Sequence, residues 1–211
     1  MNILRLSMVL SFVIATSLDV AAQVCAPPPR FVDTPHPAVA DEKDLVSHTE
    51  EITIARPLDK VLEDSDRPLK DTIRKTSSLP GVSGEYMLTQ GTFGVPGSRR
   101  LTCLTDGSKL EEEVLQRERA GNSFRFRYVV WNYTSKAAHP ILYGVGDFRD
   151  SDMGDGRTHV VWTYSFMLNQ ERFPGELGSF GRFLFRVGFL DRQYAEMMRS
   201  TLNGTKINVE R

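Results

Sequence analysis

The sequence predicts an α+β fold in which seven antiparallel strands wrap around one long C-terminal helix, with two short helices after the first strand. Three features carry the prediction. Between residues 82 and 168, six segments alternate apolar and polar residues with the period of a strand and are joined by short turns. Residues 176–202 contain no proline and repeat apolar side chains at helical spacing. An isolated alternating segment, 50–56, precedes these and is followed by two proline-led helix starts. Hairpin-linked strands form a meander with one wet face and one covered face, and a single long helix is the natural cover.

In the first strand Ile52 and Ile54 share a face, and Pro57 ends it. Residues 58–64 and 68–77 are the short helices, the second with Leu69 and Ile73 at helical spacing. Strand 82–90 places Val82, Gly84, Tyr86 and Leu88 on one side. A glycine-rich connection, 91–97, leads to strand 98–105, which Asp106-Gly107 closes with the strongest hairpin signal in the chain. Strand 108–119 and a Gly121-Asn122 turn follow. In strand 123–133, Phe124, Phe126, Tyr128 and Val130 face one way, and Arg125 and Arg127 the other. After strand 140–149, an Asp155-Gly156 turn opens strand 158–168, where Val160, Trp162, Tyr164 and Phe166 share a face. Helix 176–202 carries Phe183, Val187, Leu190, Tyr194 and Met197/Met198 along one stripe, with Asn203-Gly204 as its C-cap.

The ends read differently. Residues 1–22 have the form of an export signal: Arg5, an apolar run over 6–15, and small residues at Val20-Ala21-Ala22 that would leave Gln23 first. The run is shorter than the ~20 residues that span a bilayer. The expected location is secreted or periplasmic. Residues 23–46, with five prolines between positions 27 and 37, read as an extended linker. The folded domain then covers 47–203, and 204–211 is a tail. In an oxidising compartment Cys25 and Cys103 are able to pair. The favoured reading leaves Cys103 as a small buried hydrophobe and Cys25 as a free thiol.

Composition excludes several classes. The 26 Lys+Arg against 27 Asp+Glu give a net charge of −1, which argues against a nucleic-acid partner. Two cysteines and four scattered histidines suggest no metal site. The acidic turn from Asp150 fails as a calcium loop, because its fifth position is Gly154 and its twelfth is Val161. The 91–97 loop lacks the Gly-Lys-Ser/Thr of a phosphate loop, and no nucleophile elbow appears, so no cofactor is expected.

A bent sheet closed by a helix leaves a space, and its lining here is aromatic: Tyr86, Phe124, Phe126, Tyr128, Trp162, Tyr164 and Phe166. Phe183, Val187 and Tyr194 face it from the helix. Such a face either packs solidly or leaves an apolar cavity for a small apolar ligand. Glu112, flanked by Leu110 and Val114 at strand spacing, points inward with them; Lys109, Glu111, Glu113 and Arg117 take the other face. A buried carboxylate needs a partner, and Arg100 on the neighbouring strand is the expected one. The pair is a ligand anchor, an acid/base, or a structural ion pair; Glu112 is a weak candidate for catalysis. Residues 180–190 are apolar on more than one face. They either pack on both sides or touch a membrane transiently, with Arg182 and Arg186 at the headgroups; packing is the favoured reading.

The run Ile52-Thr53-Ile54-Ala55-Arg56-Pro57-Leu58-Asp59-Lys60-Val61 resembles the opening of the SRPBCC superfamily, also called START-like or Bet v 1-like. It is similar to the polyketide cyclase/dehydrase and lipid-transport branch. The ordered elements Gly97-Ser98-Arg99-Arg100, Asp106-Gly107, Glu112, Phe124-Arg125-Phe126-Arg127-Tyr128 and Thr158-His159-Val160-Val161-Trp162 resemble the same branch. Arg56 intervenes where the family runs straight into proline, and Leu62 stands nearest a common tryptophan. The resemblance implies a helix-grip fold with a hydrophobic ligand cavity, and no single reaction.

The expected function is therefore an exported carrier for a small hydrophobic, lipid- or polyketide-like ligand. The hydroxyls of Tyr86, Tyr128 and Tyr164 and the Arg100–Glu112 pair would orient it. The alternatives are a cyclase/dehydrase-type enzyme using Glu112 or a pocket tyrosine as acid/base, and an interaction module with a filled core.

Overall fold

A computed structural model describes residues 24–211. The export-signal reading of 1–22 lies outside these residues. The strands are β1 (Val46–Ile54), β2 (Val82–Met87), β3 (Arg99–Leu104), β4 (Lys109–Ala120), β5 (Ser123–Trp131), β6 (Ile141–Asp152) and β7 (Thr158–Leu168). Helices α1 (Leu58–Ser65) and α2 (Leu69–Thr72) separate β1 from β2. The C-terminal helix comprises α3 (Gly178–Phe185), a π-helical stretch (Arg186–Tyr194) and α4 (Ala195–Glu210). The sheet order is β1-β7-β6-β5-β4-β3-β2, with every neighbouring pair antiparallel. It is the expected helix-grip architecture: β2 to β7 form the meander, and β1 crosses to pair with β7.

The expected inward faces of β5 and β7 hold. Tyr128, Val130, Trp162, Tyr164, Phe166 and Leu168 are buried in one cluster with Leu190, Met198 and Leu202 of the helix. Two glycines make room for the tyrosines. A Cβ on Gly146 would lie 2.3 Å from the Tyr128 ring, and one on Gly144 2.7 Å from the Tyr164 ring. These rings therefore lie flat across β6, where any side chain would lift them. His48 on β1 pins the helix, bonding Asp191 at 2.7 Å and Glu50 at 2.8 Å, and Glu50 also receives Arg199.

Four expectations are corrected. First, the sheet's outer face is not simply wet. Val129, Trp131, Tyr143 and Val145 form a second buried cluster with Leu45, covered by Val39 and Ala40. Second, the Pro-rich stretch is not free: it turns once, where Phe31 N donates to Pro28 O, and lies against the sheet. Trp131 Nε1 donates to Thr34 O at 3.1 Å, Lys109 Nζ to Ala26 O at 3.0 Å, and Ala40 N to Tyr143 Oη at 2.9 Å. Third, Cys25 is no free thiol: it is bonded to Cys103, with Cα atoms 5.7 Å apart. A segment outside helix and sheet has unpaired carbonyls along its length, and here the sheet's outward side chains use them. Fourth, the helix runs through Asn203-Gly204 to Glu210, so 204–211 is no loose tail. Lys206 donates to Thr53 O and Glu210 accepts from Ala55 N, tying the last turns to the end of β1.

Candidate functional site, a cavity at one end of the sheet

The inner face is solid at one end and hollow at the other. At the solid end Tyr128, Tyr164, Phe166, Phe185, Phe189 and Tyr194 interlock, with neighbouring ring centroids between 4.7 and 6.2 Å. At the other end a cavity of about 420 Å³ lies between the sheet, α1, α2, the 91–93 loop and α4. Its floor is Phe124, Phe126 and Tyr128 of β5, Phe148 of β6, and Val160 and Trp162 of β7. Phe148 and Trp162 stack at 4.7 Å with an interplanar angle of 14°. Ile54, Val61 and Leu202 close the apolar side.

One polar corner is the expected pair. Arg100 Nε donates to Glu112 Oε2 at 2.5 Å, with both residues buried. Arg100 Nη1 reaches Glu85 at 3.4 Å, and Phe93 roofs the guanidinium at 3.7 Å. Cross-strand pairing of Arg100 with Glu112 builds this corner, because residues directly opposite in register share a face. Arg117 is a second inward cation. It bonds Asp66 at 3.1 Å and lies over the rings of Phe124 and Phe126. It was expected outward with Lys109; the bulge between Val114 and Gln116 shifts the register by one residue and turns it in.

Of the expected lining residues, Arg100, Glu112, Phe124, Phe126, Tyr128 and Trp162 line the cavity together. The other six do not. Tyr86 is 44% exposed on the outer face, because the bulge between Val82 and Gly84 inverts the alternation of β2. Glu85 and Met87 take the inward places. Tyr164, Phe166 and Tyr194 belong to the solid aromatic end. Phe183 and Val187 are 56% and 37% exposed. The helix is buried at Gly181, Phe185, Leu190 and Ala195, and the wide π turns over 186–194 put a stripe extrapolated at 3.6 residues on the wrong side.

The outward residue Glu111 is fully buried beneath the Pro-rich segment, where Arg99 donates at 2.6 Å and Asn132 at 2.5 Å. Burial raises its pKa, against the pull of Asn132 and Arg99. This is a structural network on the far side of the sheet from the cavity.

Sequence reading missed Asp150. It extends inward from β6, opposite Phe124 on β5 and Val160 on β7. It is 7% exposed, its Oδ1 has no hydrogen-bond partner, and burial pushes its carboxyl up to about 7. The Trp162 indole N–H, on the same wall, also lacks an acceptor. Burial pushes the Tyr128 hydroxyl well above the ordinary tyrosine value near 10, so it serves as a neutral hydrogen-bonding group. The available signal for Asp150 was its parity with Phe148, obscured by reading Asp150 to Gly156 as one polar turn.

No protein-family model matches the sequence, and no curated protein matches it. Solved structures share the fold. A hypothetical protein of Helicobacter pylori aligns over 84% of this chain and 99% of its own, at 14% identity and a TM-score of 0.56. Ara h 8.0201 aligns over 78% and 97%, at 12% identity and 0.53. The Zhui aromatase/cyclase of Streptomyces sp. R1128 aligns over 79% and 94%, at 15% identity and 0.52. The fold shared with these structures is the helix-grip fold.

Proposed function

We propose that the protein is an exported carrier that holds a small hydrophobic, lipid- or polyketide-like ligand between the sheet and α4. The observation that carries this is the cavity of about 420 Å³, within the size range of small-molecule sites, with its stacked aromatic floor and few polar groups. Burial of apolar ligand surface supplies the affinity at roughly 25 cal/mol per Å². Binding is favoured over cyclase chemistry because Glu112 is already engaged by Arg100 and the raised pKa of Tyr128 leaves it no general base. The fold shared with an aromatase/cyclase is compatible with either role. The Cys25–Cys103 bond supports export, since disulfides persist in oxidising compartments.

Native mass spectrometry of the exported protein reads both parts of the proposal. A chain starting at Gln23 with a small co-purified molecule is expected; a chain retaining Met1, or one that never carries a small molecule, would count against it. Pyrene, an apolar fluorophore, is expected to bind at micromolar concentrations. Val160→Trp should weaken that binding about tenfold or more by filling the floor. Equal affinity in the two proteins would place pyrene outside the cavity.

A transient membrane contact is proposed for the exposed end of the helix. Phe173, Leu177, Phe180 and Phe183 are between 43% and 62% exposed there, beside Arg182 and Arg186. Buried packing on both sides, the favoured expectation, does not describe this segment. Aromatic side chains with neighbouring arginines suit an anionic lipid surface. Among the described residues no helix is long and apolar enough to cross a membrane, so the contact would be peripheral. Phe180→Ser/Phe183→Ser should reduce co-sedimentation with phosphatidylglycerol vesicles several-fold; unchanged sedimentation would remove this surface from consideration.

A further inference from the structure

The charges lining the cavity do not balance. Five carboxyls line it (Asp64, Asp66, Glu85, Glu112 and Asp150) against three arginines. Each arginine is committed: Arg67 to Asp64, Arg117 to Asp66, and Arg100 to Glu112 and Glu85. Of the five, Asp150 alone has no cation near enough among the described residues to act on its carboxyl, and its Oδ1 accepts no hydrogen bond. Its neighbours on the inner face are apolar: Phe148 on its own strand, Phe124 and Val160 across the ladders, and Trp162 diagonally.

We propose that Asp150 recognises a protonated amine, so that the ligand class is a hydrophobic amine whose aromatic or aliphatic body lies on the Phe148–Trp162 floor. This rests on the ligand-binding reading above and narrows it. Three chemistries compete for the site. An anionic ligand would find every lining arginine already paired and would bring a second negative charge toward Asp150. A hydrocarbon would bury Asp150 further and offer it nothing. A primary ammonium satisfies the carboxylate with a charge-assisted hydrogen bond, while the ligand's apolar body covers the stacked rings of Phe148 and Trp162. The burial that disfavours a lone carboxylate at this position also strengthens its attraction to a bound cation.

The test uses the full mature protein at pH 8, with pyrene as the reporter and two competitors of one shape. These are 2-(2-naphthyl)ethylamine, a cation, and 2-naphthylacetate, an anion. The amine is expected to displace pyrene at least about tenfold more effectively than the acetate, the scale of one hydrogen bond to a charged group. In Asp150→Asn, which keeps the side-chain shape, that preference, with each competitor referred to the variant's own pyrene affinity, should fall to within about twofold. A urea unfolding transition as cooperative as that of the wild type shows that the variant is folded. Equal displacement by both competitors in the wild type, or an undiminished amine preference in Asp150→Asn, overturns the amine assignment and leaves the carrier reading standing. Failure of the wild type to bind pyrene overturns the carrier reading, and this assignment with it.

Discussion

Replacing Cys25 and Cys103 together by serine is expected to lower the free energy of unfolding by about 4 kcal/mol, read from urea unfolding of the oxidised wild type beside the double variant. The magnitude follows from loop closure. The bond links residues 78 apart in sequence, so it removes a large share of the unfolded chain's freedom. The bond also fastens the start of the Pro-rich segment to β3. Without it, that segment is held by single contacts such as Trp131 to Thr34 O and Ala40 N to Tyr143 Oη. Beneath it lie Trp131, nearly fully buried, and Glu111, fully buried, with Arg99 as its cation. Loosening the segment admits water to both, so hydrogen exchange of the Trp131 indole N–H should accelerate in the double variant. A loss of less than about 1 kcal/mol would mean that the polar contacts alone hold the segment in place.

The contrast between that segment and the sheet shows what the sequence made legible. Period-two alternation located all seven strands and the inward faces of β5 and β7, because a half-buried strand writes its environment into every second residue. The Arg100–Glu112 pair was readable for a related reason: a carboxylate flanked by inward apolar residues demands a cation nearby. Bulges carry no comparable signal. The irregularities at Val82/Gly84 and Val114/Gln116 each displace one residue, which sent Tyr86 outward and Arg117 inward. The π turns of the helix did the same to Phe183 and Val187. Proline content was misleading for another reason. It excludes helix and central strand, but says nothing about whether an extended chain finds partners for its carbonyls. Asp150 was hidden by composition: a carboxylate beside a turn rich in aspartate and glycine looks solvated until the sheet's curvature is known.

That residue supplies the second large effect. Asp150→Asn is expected to stabilise the protein by on the order of 2–4 kcal/mol at pH 8 and to leave stability unchanged at pH 4. The carboxyl ionises near 7 in the fold and near 3.8 in the unfolded chain, because burial without a partner disfavours the charged form. Between those values the folded protein holds a proton that the unfolded chain has released. Wild-type stability therefore falls as pH rises from about 4 to about 7, and is level with respect to this group on either side. Glu111, also raised by burial, adds a slope of the same sign, but it is present in both proteins and cancels in their difference. Thermal or urea unfolding of the pair at pH 4, 6 and 8 measures that difference directly. A protein that keeps a destabilising carboxyl in an apolar wall has a structure locally at odds with its own stability, which is where binding sites tend to lie. A difference that stays constant from pH 4 to pH 8 would show that Asp150 titrates alike in the folded and unfolded chains. Its carboxylate would then be solvated or paired in the fold, and the cavity would hold no desolvated charge to select one class of hydrophobic ligand over another.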